Sequence, residues 1–118
     1  MIKGIGTDLV DIKRIEKAQK QRPDFANRVL TASEREAMEA NSSWKRQMEF
    51  LSGRWAAKEA FAKALGTGIG LSLSFQDLEI LNDQKGRPCL NTAAYSGKIF
   101  LSITHTDDYA QAFVVLEE

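Results

Sequence analysis

Apolar residues recur with two different periods along this chain, and the change from one to the other divides it. Ile2 to Asp8 reads as a glycine-containing strand, and from about Leu9 the positions Leu9, Ile12, Ile15 and Ala18 fall at helical spacing. That helix cannot run past Arg22, because Pro23 lacks an amide donor and restricts its predecessor. Thr31, with Glu34 three residues later, fits a capping box and predicts a short helix to about Ala40. Ser42 and Ser43 then open a long helix from Trp44 to Leu65, with Gly66 where a left-handed residue would close it. Beyond GTGIG the pattern changes to β-like segments at Asp77 to Asn82, Pro88 to Asn91, Ile99 to Thr104 and Tyr109 to Leu116. Asp83 with Gly86, Ser96 with Gly97, and the short polar run Thr106 to Asp108 supply turns between them. The expected fold class is α+β: an antiparallel β-sheet packed on a long central α-helix, in one domain over residues 1–118.

Composition narrows the chemistry. A chain of 118 residues with 43% hydrophobic content suffices for one core. It has no apolar run of about 20 residues to span a bilayer, and MIKGIGTDLV lacks the features of a secretory signal, so a cytoplasmic location is expected. The single cysteine, Cys89, and single histidine, His105, leave no intrachain disulfide, no Cys/His zinc cluster and no Cys-His nucleophile. No GxSxG turn is present either, so chemistry must rest on carboxylates, lysines and arginines, with oxygen ligands for any metal. A net charge of +0 argues against a general nucleic-acid binder, yet the charges are segregated. From Lys13 to Arg28 there are six basic residues against two acidic ones, and after Lys98 there are four acidic residues and no Lys or Arg. Lys13, Arg14, Lys17 and Lys20 therefore form either an ordinary solvated helix face or a face for an acidic partner.

On the long helix, a rotation of about 100° per residue aligns Trp44, Met48, Leu51, Trp55 and Ala62 in one stripe. Phe50, Ala57, Phe61 and Leu65 form a second stripe, and Arg54 and Lys58 fall between the two. A phosphate would relieve those like charges, or both side chains snorkel to water. Glu59 and Lys63 suit a surface ion pair worth ~0.3–0.5 kcal/mol, or else a metal-binding carboxylate beside a phosphate-neutralising lysine. Asp8 is placed to cap the first helix, or to join a helix-borne carboxylate around Mg²⁺. The glycines of GIGTD allow close backbone approach to such a site but form no dinucleotide fingerprint. Gly66 to Gly70 follows a helix and lacks a GKS or GKT ending, so it is no P-loop; it either ends the helix or offers turn amides to a substrate. His105 alone reads as a polar residue at a strand end.

Together, GIGTDLVDIKRIEK, FLSGRWAAKEAFAKALGTGIG, LSFQDLEI and SITHTDDYA resemble, in order and spacing, the motif set of the bacterial holo-[acyl-carrier-protein] synthases. The resemblance covers nearly the whole chain and implies the 4′-phosphopantetheinyl transferase fold. It implies that Asp8 and Glu59 coordinate Mg²⁺ with the coenzyme A pyrophosphate, and that Lys63 steadies phosphate charge as Glu59's catalytic companion. It further implies that Arg54 and Lys58 assist the nucleotide end, that Gly66, Thr67 and Gly68 approach the ligand, and that His105 and Thr106 belong to the coenzyme-binding segment.

The implied reaction is attack by a carrier-protein serine on the phosphorus attached to pantetheine, releasing adenosine 3′,5′-bisphosphate, in support of fatty acid biosynthesis. Glu59 is a candidate acceptor of the serine proton through a bound water. An acidic acyl carrier protein would dock on Lys13, Arg14 and Lys17, and a homotrimer with inter-subunit active sites is expected by the same likeness. Trp55 stands where the family often has phenylalanine, and Lys45, Arg46 and Arg87 are candidates for the coenzyme 3′-phosphate with no motif to choose among them. Two competing functions remain. A magnesium-dependent nucleotide or pyrophosphate hydrolase would use the same carboxylates and cations, and a non-enzymatic carrier-binding module would use only the basic helix.

Overall fold

Strand β1 (Ile2–Asp11) runs three residues beyond the predicted end, and helix α1 (Ile12–Gln21) begins only there, in a computed structural model that describes all 118 residues. Asp11 rather than Asp8 is the cap: its carboxylate accepts the Lys13 amide at 3.0 Å, and the Ile12 amide donates to the Asp108 carbonyl. Asp8 is thereby left inside the strand. A five-residue helix, α2 (Phe25–Val29), follows Pro23 and is absent from the sequence-based expectation, being too short to display a period. Helix α3 (Ala32–Glu39) starts at the expected Thr31–Glu34 capping box. Helix α4 (Trp44–Leu65) is capped by Ser43 and closed by Gly66 at φ 89°, as its sequence predicts.

The C-terminal half differs from a single sheet. A 3₁₀ turn at Phe75–Asp77 precedes β2 (Glu79–Asn82), which pairs only with β3 (Pro88–Asn91). Strands β4 (Lys98–His105) and β5 (Tyr109–Glu117) form a hairpin, and β1 adds to its far side, giving the antiparallel order β1-β5-β4. Val10, Ala110, Ala112, Val114 and Leu116 are buried on the inner face of this sheet, against Ala56, Ala57, Ala60 and Phe61 of α4. The α+β class holds, with a long helix clasped between a three-stranded sheet and a shell made of α2, α3 and the β2–β3 ribbon.

Two glycines set the distance between β1 and α4. A Cβ on Gly6 would lie 2.0 Å from the Ala60 carbonyl oxygen, and one on Gly4 would lie 2.1 Å from that of Ala64. Two strand residues advance about 6.7 Å and four helical residues about 6.0 Å, so the antiparallel pairs Gly4–Ala64 and Gly6–Ala60 stay in step. Asp8 comes next in that series, level with the turn of α4 that carries Glu59. The glycines thus serve the approach of strand to helix.

The other face of the sheet is apolar and uncovered. Ile5, Leu9, Phe100 and Phe113 are all exposed there, and the register sets Ile5, Val115 and Phe100 in one row across three strands. No helix is long and apolar enough to cross a membrane.

Candidate active site

Asp8 reaches the site from the inner face of β1, and Glu59 and Lys63 reach it from consecutive turns of α4. Lys63 Nζ donates to Asp8 Oδ1 at 3.1 Å and to the Thr7 carbonyl at 3.0 Å. Asp8 and Glu59 both line a cleft of about 370 Å³, together with Arg14, Ile15, Phe25 and Trp55. Burial pushes the Glu59 carboxyl above the ordinary glutamate range, the negative charge of Asp8 pushes it further, and Lys63 partly opposes both. Two carboxylates with one shared lysine are short of positive charge. No third carboxylate, histidine or cysteine joins them. Such a donor set fits Mg²⁺, which binds through one or two protein carboxylates and completes its octahedron with phosphate and water.

A second cleft, of about 320 Å³, lies at the opposite edge of the three-stranded sheet, beside β4. Arg46, Glu49, Arg54, Asn82 and His105 surround it. Arg54 is 8% exposed, sits 4.2 Å from the Phe50 ring centre, and donates to Asn82 Oδ1 at 3.2 Å. Its Nε is buried without a partner. Burial lowers the proton affinity of this guanidinium, with Glu34 opposing, yet an arginine remains a cation at working pH. His105 Nδ1 lies 3.9 Å from Glu49 Oε2. Thr106 accepts the Asp108 and Tyr109 amides on its hydroxyl, so it shapes the β4–β5 turn that presents His105. Among the three candidates left open for a phosphate, only Arg46 lines this cleft. Lys45 pairs with Asp107 and Arg87 with Asp83 on the surface.

One expectation needs correction. Lys58 has no exposed surface and does not present to any coenzyme. Its ammonium donates to Glu34 Oε1 at 2.7 Å, to the Val29 carbonyl at 2.7 Å and to the Phe75 carbonyl at 3.0 Å. Burial pulls its proton affinity down, and the adjoining Glu34 carboxylate holds it up. Neither a phosphate nor water therefore answers its place between two apolar stripes; a protein carboxylate does. The amides of Gly66, Thr67 and Gly68 all turn back to the Ala62 carbonyl and close the helix. The Thr67 hydroxyl bonds only the neighbouring Gly68 carbonyl.

Reading the sequence missed Phe25, because α2 went unseen, and the buried role of Glu34, which signalled only a helix cap. Lys13, Arg14 and Lys17 are all exposed on α1, and Arg14 also lines the Asp8–Glu59 cleft.

Residues 4–114 match the model of the 4′-phosphopantetheinyl transferase superfamily. The holo-[acyl-carrier-protein] synthase of Streptococcus uberis is 53% identical over all of this chain and 98% of its own. A crystal structure of the Bacillus anthracis holo-(acyl-carrier-protein) synthase in complex with CoA (3′,5′-ADP) superimposes with a TM-score of 0.91 at 45% identity, over 98% of this chain and 96% of that one. The Helicobacter pylori synthase in complex with coenzyme A gives 0.83 at 34% identity, over 96% and 99%. The chain belongs to the 4′-phosphopantetheinyl transferase superfamily, and its full-length likeness is to the holo-[acyl-carrier-protein] synthases within it.

Proposed function

We propose that this chain, one transferase domain over residues 1–118, moves 4′-phosphopantetheine from coenzyme A to a serine of apo acyl carrier protein. It does so in the cytoplasm, with Mg²⁺, for fatty acid biosynthesis. The observation that carries the reading is the convergence of Asp8, from the start of the chain, and Glu59, from its middle, on one cleft bordered by the basic helix α1. Asp8 and Glu59 would hold the ion, and Lys63, already within reach of Asp8, would neutralise an oxygen of the diphosphate. When bound, Mg²⁺ draws charge off the phosphoryl group being transferred. The serine oxygen forms a bond to the pantetheine-bearing phosphorus while the bond from that phosphorus to the bridging oxygen breaks. Adenosine 3′,5′-bisphosphate leaves, and the serine proton passes to Glu59 through water. Arg54, Arg46 and His105 suit the nucleotide end, with Thr106 holding the turn. Incubation of apo carrier protein with coenzyme A tests the reading: the intact mass of the carrier should rise by one phosphopantetheine with magnesium and stay unchanged with chelator. A hydrolase would leave it unchanged in both.

The two clefts sit at opposite edges of the sheet, and on α4 Arg54 and Glu59 lie about 140° apart around the axis. One protomer therefore cannot easily bring both to a single coenzyme. A head-to-tail ring would, by setting the β4-side cleft of one copy against the β1-side cleft of the next, and the uncovered apolar sheet face provides the surface to bury. This supports a homotrimer with shared sites. Asp8→Asn and Arg54→Ala chains, each inactive alone, should regain activity when co-expressed. Absence of any recovery would place each site within one chain.

An acidic carrier protein fits the exposed Lys13, Arg14 and Lys17 face, whose neighbour is the metal cleft. Lys13→Glu/Lys17→Glu, on the same exposed face but outside the cleft that Arg14 lines, is expected to raise KM for carrier protein, more strongly at low salt, and to leave coenzyme A binding intact. Unchanged carrier kinetics would remove α1 from the docking surface.

A further inference from the structure

Where α4 meets β1, the contact is built from Ala60 and Ala64 against Gly4 and Gly6, with the larger Phe61, Val114 and Leu116 packed beside it. Side chains this short make shallow ridges, so at β1, the strand that carries Asp8, interlocking side chains do little to fix the roll of the helix. The opposite side is held differently. Lys58 spends all three ammonium donors on Glu34, Val29 and Phe75. Glu34 in turn accepts the Thr31 amide at 2.8 Å on Oε1 and the Ile80 amide at 2.7 Å on Oε2. Both side chains are fully buried. One ion pair thus ties α4 to the end of α2, the cap of α3, the 3₁₀ turn and β2. Bonds of this kind are directional and weaken steeply off axis, while a buried ion pair often stabilises no more than an apolar pair of equal volume. Their contribution is to geometry.

We propose that Lys58 and Glu34 are positioning residues for the transfer reaction: their buried pair fixes the roll and axial station of α4, and so delivers Glu59 to Asp8. This rests on the reading of Glu59 as a metal ligand. Glu59 is next in sequence to Lys58. A roll of about 20° would carry a side-chain atom at the helix surface about 2 Å, enough to open a metal site. Misplacement of about 1 Å can lower a rate by about a hundredfold. No group of Lys58 or Glu34 touches the cleft that holds Asp8 and Glu59.

The test is the double variant Glu34→Gln/Lys58→Met, which removes both charges together and leaves neither unpaired. A second variant, Glu34→Asp, keeps both charges and draws the anchor back by one methylene. Magnesium affinity is measured by calorimetry on the full-length protein with coenzyme A present and no carrier protein, alongside thermal unfolding. Both variants should stay folded at the assay temperature, with magnesium affinity weakened about tenfold in the double variant and less in Glu34→Asp. Parental affinity in folded protein would make the pair a scaffold only and overturn the proposal. Should the double variant unfold, Glu34→Asp decides alone. Glu59→Gln is the control. If it leaves magnesium affinity unchanged, the metal-ligand reading falls and takes this proposal with it. If it abolishes affinity while the pair variants keep theirs, the positioning role alone falls.

Discussion

Glu59→Gln should lower phosphopantetheine transfer by about 10²–10⁴-fold, the range spanned by loss of a positioned acid–base group, without lowering the thermal stability of the metal-free protein at neutral pH. Amide and carboxylate are nearly isosteric, so packing is retained. The electrostatics favour the amide. Burial, and then the charge of Asp8, hold the folded-state Glu59 pKa above its unfolded value, so the folded protein binds this proton more tightly than the unfolded chain does. The ionised carboxylate therefore detracts from stability above the folded pKa, and that penalty fades as pH falls toward the unfolded value. Glutamine mimics the protonated form and removes the penalty throughout. On the proposed reading of Glu59 as a magnesium ligand, proton and metal compete for the carboxylate, and the magnesium required for half-maximal transfer should climb on acidification sooner than for an ordinary glutamate. Carrier mass change gives the rate, and melting with and without chelator gives the stability. Near-parental turnover in the variant would strip Glu59 of both its metal and proton roles.

Gly6→Ala should destabilise the protein by about 1–3 kcal/mol, the range for forcing extra volume into a packed interior. For a domain near 100 residues, each kcal/mol lowers Tm by about 4–8 °C. The added methyl would stand 2.0 Å from the Ala60 carbonyl oxygen and 2.7 Å from the Ala64 nitrogen, both backbone atoms of a helix that cannot give way locally. The strand must retreat instead, taking Asp8 from Lys63 and Glu59, so transfer should fall even well below the new Tm. Gly53→Ala is the comparison: its methyl would meet only the Ile103 side chain, at 3.2 Å, and that side chain can shift. Equal effects from the two substitutions would show that the strand–helix approach has no special bearing on the site.

Elements written in short-range signals were legible in the sequence. The bounds of α4 follow from Ser43 and Gly66, α3 from the Thr31–Glu34 box, and the β4–β5 hairpin from a polar turn between two alternating runs. What escaped depends on partners far along the chain. Nothing near Ile2 announces that β1 pairs with β5, or that β2 and β3 leave the main sheet. Periodicity placed Lys58 between two apolar stripes and left it either a phosphate or a path to water. The answer, Glu34, lies 24 residues upstream, where it already satisfied a capping motif. The helix start shifted for a similar reason: both Asp8 and Asp11 suit a cap, and pairing with Ala112 keeps Asp8 in the strand. Asp8 and Glu59 as partners came from family resemblance, since neither local pattern contains the other.

The placement of the two clefts on opposite rims of the sheet bears on dosage. On the shared-site reading, a newly made polypeptide holds two unmatched halves and does nothing until it meets its copies. Carrier activation in a dilute cell extract would then grow more steeply than the first power of enzyme concentration, and would approach simple proportionality only once the ring is saturated.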